Sequence, residues 1–242
     1  MSKISKLANI SKDAVLGNNV VIKDNVVIEE GVHIGNNVIL YDNVVIKKNT
    51  FIWDDVVIGR IPMAVSSIKS KTYIEKGITT IGESCVIGCS TVIYIDVNIG
   101  NNVLIADNVV IRERTRLIGD NIIGPNSFIQ KDCYVDLGSR IIQQSSLASG
   151  TIIGKDNFIS SNFTCVSDNT FGVNGYSKDK KGPKIGNDNL IGPSVTILDN
   201  ITIGNNNIIG AKALVTKSIG DNGVFYGIPV KYIKDRAKKE LI

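Results

Sequence analysis

The stretch Ile99-Gly100-Asn101-Asn102-Val103-Leu104-Ile105-Ala106-Asp107-Asn108-Val109-Val110-Ile111 decides the fold. An aliphatic anchor returns at every sixth residue, here Ile99, Ile105 and Ile111. A second small apolar residue stands two positions earlier, at Val103 and Val109. Residues i and i+2 of an extended segment face the same side, so each pair reads as a very short strand with both side chains inward. Gly, Asn, Asp and Ser fill the positions after the anchor, where the chain must turn and a positive φ is expected two residues past it. The cycle is strand, corner, strand, corner, once per six residues.

Working outward, the phase runs down to Ile81 and up through Leu117, Ile123, Ile129, Val135, Ile141, Leu147, Ile153 and Ile159 to Cys165 without a slip. Separate blocks in the same style cover Ile10 to Ile58 and Ile185 to Val215. Repeats of this kind identify a solenoid. Three hexads close a triangular coil, coils stack at about 4.8 Å, and roughly ten coils give a prism about 48 Å long. Composition agrees: 43% of residues are hydrophobic but only 6% aromatic, so small aliphatic side chains must fill the interior.

The remaining bulk properties narrow the function. The formal charge is +4, from 27 basic and 23 acidic residues, with Lys231, Lys234, Arg236, Lys238 and Lys239 near the C-terminus. That suits anionic small molecules and is too mild for nucleic acid. Cys85, Cys89, Cys133 and Cys165 form no disulfide framework, and with a single histidine they form no metal-ligand set. No leader and no apolar run of membrane-spanning length is visible, so a soluble cytoplasmic protein is expected.

Two breaks interrupt the repeat, at 59–80 and 166–184, each a candidate loop over one corner. A protruding loop on a rigid solenoid is either solvated surface or one wall of a cleft. The prism is expected over 1–219. Residues 220–242 are expected to cap it, with Phe225, Tyr226, Tyr232 and Ile233 over the last layer and a short helix from Lys234. His33, between inward Val32 and Ile34, points outward. It lies some seven coils, or about 35 Å, from Asp168, too far for proton transfer.

The (Ile/Val/Leu)-Gly-x-x-x-x pattern resembles that of the hexapeptide-repeat acyltransferases, and this resemblance implies the hand: an all-β, single-stranded, left-handed parallel β-helix. Four segments add a finer likeness. They are Val57-Ile58-Gly59-Arg60-Ile61-Pro62, Val92-Ile93-Tyr94, the run from Ile105 to Arg112-Glu113, and Ser167-Asp168-Asn169. Together they resemble the nucleotide-linked amino-sugar N-acetyltransferases, above all those acting on dTDP-3-amino-3,6-dideoxyhexoses. The ending Gly227-Ile228-Pro229-Val230-Lys231 is similar to the Gly-x-Pro-Ala-Lys of acetyl-CoA-dependent relatives, with Val230 in place of Ala.

The resemblance implies a homotrimer with sites between prisms, acetyl-CoA as co-substrate, and no metal. It implies coenzyme contacts at Gly192, Gly210, Ala211 and Ala213 along the last coils, with Lys231 and Lys234 near the phosphates. Small residues there equally suit a narrow corner. It implies acceptor contacts at Arg60, Tyr94, Arg112, Arg114, Gln143, Gln144, Ser167 and Asn169. Ile142 stands where the family often has a polar residue, and Ser167 where it often has Asn.

Arg112, Arg114 and Arg116 read as alternating outward on one strand about 14 Å below Asp168, a span suited to a diphosphate and a sugar amine. Glu113 between them equally suits surface ion pairing. Asp168 is the expected partner of the amine, acting by position and charge, or else one half of an Asp-Asn turn. A carbonic anhydrase on this fold needs three histidines, and a serine acetyltransferase resembles a histidine-based mechanism. The open alternatives are another UDP- or dTDP-linked aminosugar and a non-catalytic trimeric scaffold.

Overall fold

The computed structural model describes residues 2–63, 77–169, 173 and 182–236. The chain winds as a left-handed parallel β-helix, and its six-residue period lays the strands on three flat faces. The first face is an 11-stranded sheet from Lys3–Ile4 to Leu214–Val215, and the second a 10-stranded sheet from Asn9–Ile10 to Thr202–Ile203. The third is a 12-stranded sheet from Val15–Leu16 to Lys231–Asp235. Most strands are two residues long, and each pairs with the strand one coil away: Ile105 lies over Ile87 and under Ile123. The anchors are buried from Ile22 to Val215 and form one continuous core. Lys3–Ile4 adds a rung before Ile10, the first anchor read from the sequence, because Ile4 is already in phase with it.

Two details of the turn differ from expectation. The left-handed residue lies three positions past the anchor, as at Asn19, Asn37, Asn102 and Asn108, all with φ near +56°. Asn tolerates this region because its short side chain bonds locally. Just after the anchor, glycine serves close approach instead. A Cβ on Gly88 would lie 2.5 Å from the Ala106 carbonyl carbon in the next coil.

The inward residue two before the anchor is Val in the lower coils but often polar higher up. Asn121, Ser139, Asn157, Asn189 and Asn207 are buried one above another. Asn157 Oδ1 accepts from the Asn189 backbone at 3.0 Å, and Asn189 Oδ1 accepts from the Asn207 backbone at 2.9 Å. Among the described residues no buried side-chain nitrogen or oxygen lacks a partner, as a dry core demands.

The C-terminal end is a hairpin where a helix was expected. Lys231–Asp235 pairs antiparallel with Gly223–Tyr226, which itself extends the third face beyond Ile208–Ile209. Backbone pairing to an otherwise open sheet edge outweighs the helical propensity of Lys234 and Asp235; residues 237–242 of that expected helix lie outside the described residues. Val224 and Phe225 close the core, while Tyr226, Tyr232 and Ile233 stay about half exposed.

Candidate functional site

Both insertions leave the prism at the same edge. The first connects Val57–Arg60 on the first face to Thr79–Ile81 on the second, and the other connects Thr164–Cys165 to Lys184–Ile185. They are five coils apart, about 24 Å along the axis. Most of each, 64–76 and 170–181 apart from Val173, lies outside the described residues. The edge between them is fully described.

Arg60, Tyr94 and Arg112 occupy three successive coils on that edge. The strand Val57–Arg60 bulges after Ile58, so Arg60 instead of Gly59 lies opposite Tyr94. Gly59 takes φ +85° to allow it. A bulge commonly re-aims a side chain in this way. The guanidinium carbon of Arg60 sits 5.6 Å from the Tyr94 ring centroid, and that of Arg112 sits 4.7 Å from it. Both lie within cation–π range.

The arginines do not share one strand. Strands of two residues leave Arg112–Thr115 in the corner, and only Arg116 begins the next strand. Each is tied to a carboxylate. Arg112 donates from Nε and Nη2 to the two oxygens of the fully buried Glu113, at 2.7 and 3.1 Å. Arg114 donates from Nη2 to Asp132 at 2.7 Å, which holds its pKa above the usual arginine value. Arg116 donates to Asp96 Oδ1 at 2.9 Å. Arg114 is thereby occupied by a neighbour eighteen residues on, and the exposed Arg60 guanidinium meets only the Tyr94 ring among the described residues.

Higher on this edge, Ser167 and Asp168 are half buried and Asn169 is exposed, at the root of the second insertion. Asn169 donates from its backbone and its amide to Asp199 in the coil above. From Arg112 to Asp168 is three coils, about 14 Å along the axis. The structure thus brings Arg60, Tyr94, Arg112, Ser167, Asp168 and Asn169 onto one edge.

Gln143 and Gln144 are elsewhere, at the edge between the third and first faces, with Gln144 in the left-handed conformation. Gly192 and Ala211 share that edge and are partly or fully exposed. Gly210 is buried beneath the Tyr226 ring, and Ala213 is part of the core, so neither is free to meet a coenzyme with its side-chain position. Lys231 and Lys234 are exposed on the terminal strand beside the third face. Within one prism the first face separates the two groups of residues.

His33 is exposed on the third face, stacked on Phe51 at 5.6 Å, with Phe51 tilted against Trp53 at 4.8 Å. It belongs to the second strand of that sheet, far below Asp168. Among the described residues no three His, Cys, Asp or Glu side chains form a metal-holding group, and no helix is long and apolar enough to cross a membrane.

The family model for bacterial transferase hexapeptide repeats matches residues 25–60 and 182–217. Those two segments carry hexapeptide repeats similar to those of the bacterial transferases. The strands of the two matched segments lie in the same three sheets, with the repeats from Ile81 to Cys165 stacked between them and one insertion on either side of those repeats.

This hexapeptide-repeat chain is 29% identical to the bifunctional protein GlmU of Clostridium beijerinckii over 68% of its own length and 36% of that protein's. It is 32% identical to the serine acetyltransferase of Staphylococcus epidermidis over 48% of its length and 50% of the relative's. The chain therefore spans half or less of these curated relatives. Among solved structures, LpxA from Acinetobacter baumannii superposes over 97% of this chain and 72% of its own, with TM-score 0.53 and 17% identity, a likeness of fold.

Proposed function

We propose that the chain is an acyltransferase that moves the acetyl group of acetyl-CoA onto the amine of a dTDP-linked 3-amino-3,6-dideoxyhexose. The relatives named above favour acyl transfer as the class. The observation that carries the finer reading is the single edge holding Arg60, Tyr94 and Arg112 about 14 Å below Ser167-Asp168-Asn169. A nucleotide diphosphate at the arginines and a sugar amine at Asp168 fit that span. Guanidinium groups suit phosphate oxygens through their fixed donor fork, and Tyr94 offers a ring face to the nucleoside.

In this reading the amine nitrogen attacks the thioester carbon, an amide forms, and the coenzyme leaves as its thiol. Asp168 orients the amine and offsets the positive charge that grows on nitrogen during attack. Gly192, Ala211, Lys231 and Lys234 lie on the other side of the first face. The reading therefore includes a homotrimer, in which one prism's working edge faces a partner prism and the two supply the two substrates.

A second reading, serine acetylation, is favoured by the relatives of that name. Against it stands the position of His33, the chain's one histidine, stacked on Phe51 far from the upper loop. One assay separates the two. Purified protein, acetyl-CoA and a panel of dTDP- and UDP-aminosugars or serine are followed by free-thiol release. Thiol release with a dTDP-aminosugar, lowered at least tenfold in Asp168→Asn, is expected. Turnover of serine alone would replace this proposal with the second reading.

A further inference from the structure

Glu113 is the anomaly of the working edge. Its side chain is fully buried, whereas Asp96 and Asp132, which hold the neighbouring arginines, are both substantially exposed. The residue one coil below in the same position is Ile95, also buried. Taking a carboxylate out of water is costly, and pairing with arginine generally no more than offsets this. An apolar residue such as Ile95 fills the place without that cost. Stability alone gives no reason for a charge here.

What the charge does is geometric. Both Glu113 oxygens accept from Arg112, through Nε and Nη2, and this two-point grip fixes the guanidinium plane. Held so, Arg112 lies against the Tyr94 ring, with Nη1 bonded to no described residue. From the coil below, the bulge at Gly59 aims Arg60 at the same ring. One of the two guanidinium charges is balanced by Glu113, and the other, on Arg60, is balanced by no described carboxylate. The result is a pre-set aromatic and two donor groups with one net positive charge, at an exposed edge.

We propose that Glu113 is a positioning residue for a diphosphate subsite formed by Arg60, Tyr94 and Arg112, with the Gly59 bulge as its second support. This rests on the nucleotide-sugar reading for its place in the reaction, but the anion site stands on its own geometry. Two physical accounts of Glu113 predict opposite signs. If it acts only through its negative charge, Glu113→Gln makes the edge more positive and tightens anion binding. If it acts by holding Arg112, the same change loosens the guanidinium and weakens binding.

The test is calorimetric titration of the full-length protein with inorganic pyrophosphate and with dTDP, alongside thermal melts. Wild type is expected to bind both. Glu113→Gln is expected to weaken both about tenfold while the melting midpoint stays within a few degrees. Glu113→Asp, which keeps the charge but shortens the reach, is expected to weaken them too. Arg60→Gln, a change at an exposed side chain that leaves the fold alone, is expected to cost at least tenfold. Equal or tighter binding in Glu113→Gln, no loss in Arg60→Gln, or no pyrophosphate binding by wild type would overturn the proposal. If the sugar panel gives no turnover while pyrophosphate binding remains Glu113-dependent, the acceptor reading fails and the subsite stands.

Discussion

Two edges of the prism can be compared at the same rung position, the residue just after the anchor. Between the third and first faces that position is glycine in most coils, at Gly17, Gly35, Gly88, Gly124, Gly192 and Gly210. Between the first and second faces it holds Lys23, Tyr41, Tyr94, Arg112 and Gln130, with Gly59 as the exception at the bulge. On the first of these edges the next coil approaches so closely at these glycines that a Cβ would meet its backbone or side chains, whereas other rungs of the same edge carry Trp53, Ala106, Ile142 and Ser160. On the second there is room for long side chains, and both insertions leave from it. One edge is the more tightly stacked at its glycines, and the other holds the candidate site. Lys23 under Tyr41, with Nζ 3.8 Å from the ring centroid, shows the same cation-and-ring stacking two coils below the arginine group.

The largest effect is expected from adding a methyl group to each edge. Gly88→Ala places a carbon 2.5 Å from the Ala106 carbonyl carbon, where backbone must move in a close-packed stack. The expected loss is about 3 kcal/mol or more, read from denaturant midpoints. A melt indistinguishable from wild type would show that the coils can separate at little cost and that the edges do not differ. Gly59→Ala tests the exception, since its Cβ would lie 2.7 Å from Val44 Cγ2 at φ +85°.

The next effect concerns what lies behind the edges. The Asn157 amide donates to the Gly154 carbonyl at 2.9 Å and the Gly186 carbonyl at 2.8 Å, and its oxygen serves Asn189. Asn157→Ala leaves several buried groups unpaired, and each costs about 1–3 kcal/mol. A stability loss of about 2 kcal/mol or more is expected, larger than for Val32→Ala in the apolar lower coils. Should the two variants melt alike, water must enter the upper core to replace the amide. By contrast Gln130→Ala, on the open edge, is expected to stay within about 0.5 kcal/mol.

These same elements show how far the sequence could be read. The anchors were legible because a closed triangular coil tolerates no phase error, and Ile10 to Val215 are where the period puts them. Asn157 was not recognised as an inward residue, although Asn121, Ser139 and Asn157 recur at eighteen-residue steps, the length of one coil. The same step pairs Arg114 with Asp132 and would have removed Arg114 from the candidate contacts. Arg112 gripping Glu113 was beyond reach, since adjacent residues in a strand point to opposite sides and only the corner turns them together. The terminal hairpin was missed because local helical propensity says nothing about an open sheet edge that needs backbone partners.

The smallest perturbation tests whether the closed edges stay closed. Cys85, Cys133 and Cys165 are buried inward residues, while Cys89 sits half exposed one position beyond Gly88. Burial raises the pKa of Cys85 and Cys133, and pushes that of Cys165 up to about 11. At pH 8 the buried thiols are therefore neutral as well as shielded, and the thiolate is the reactive form. Iodoacetamide at that pH is expected to label Cys89 alone in the native protein, and all four cysteines in denaturant, as read by intact mass. The stability change from the label itself should be slight. In Gly88→Ala, Cys85 is expected to become the next site modified, because it lies on the coil whose spacing the added methyl disturbs. If Cys133 or Cys165 were labelled first, the strain would be spreading along the core instead of opening the nearest edge.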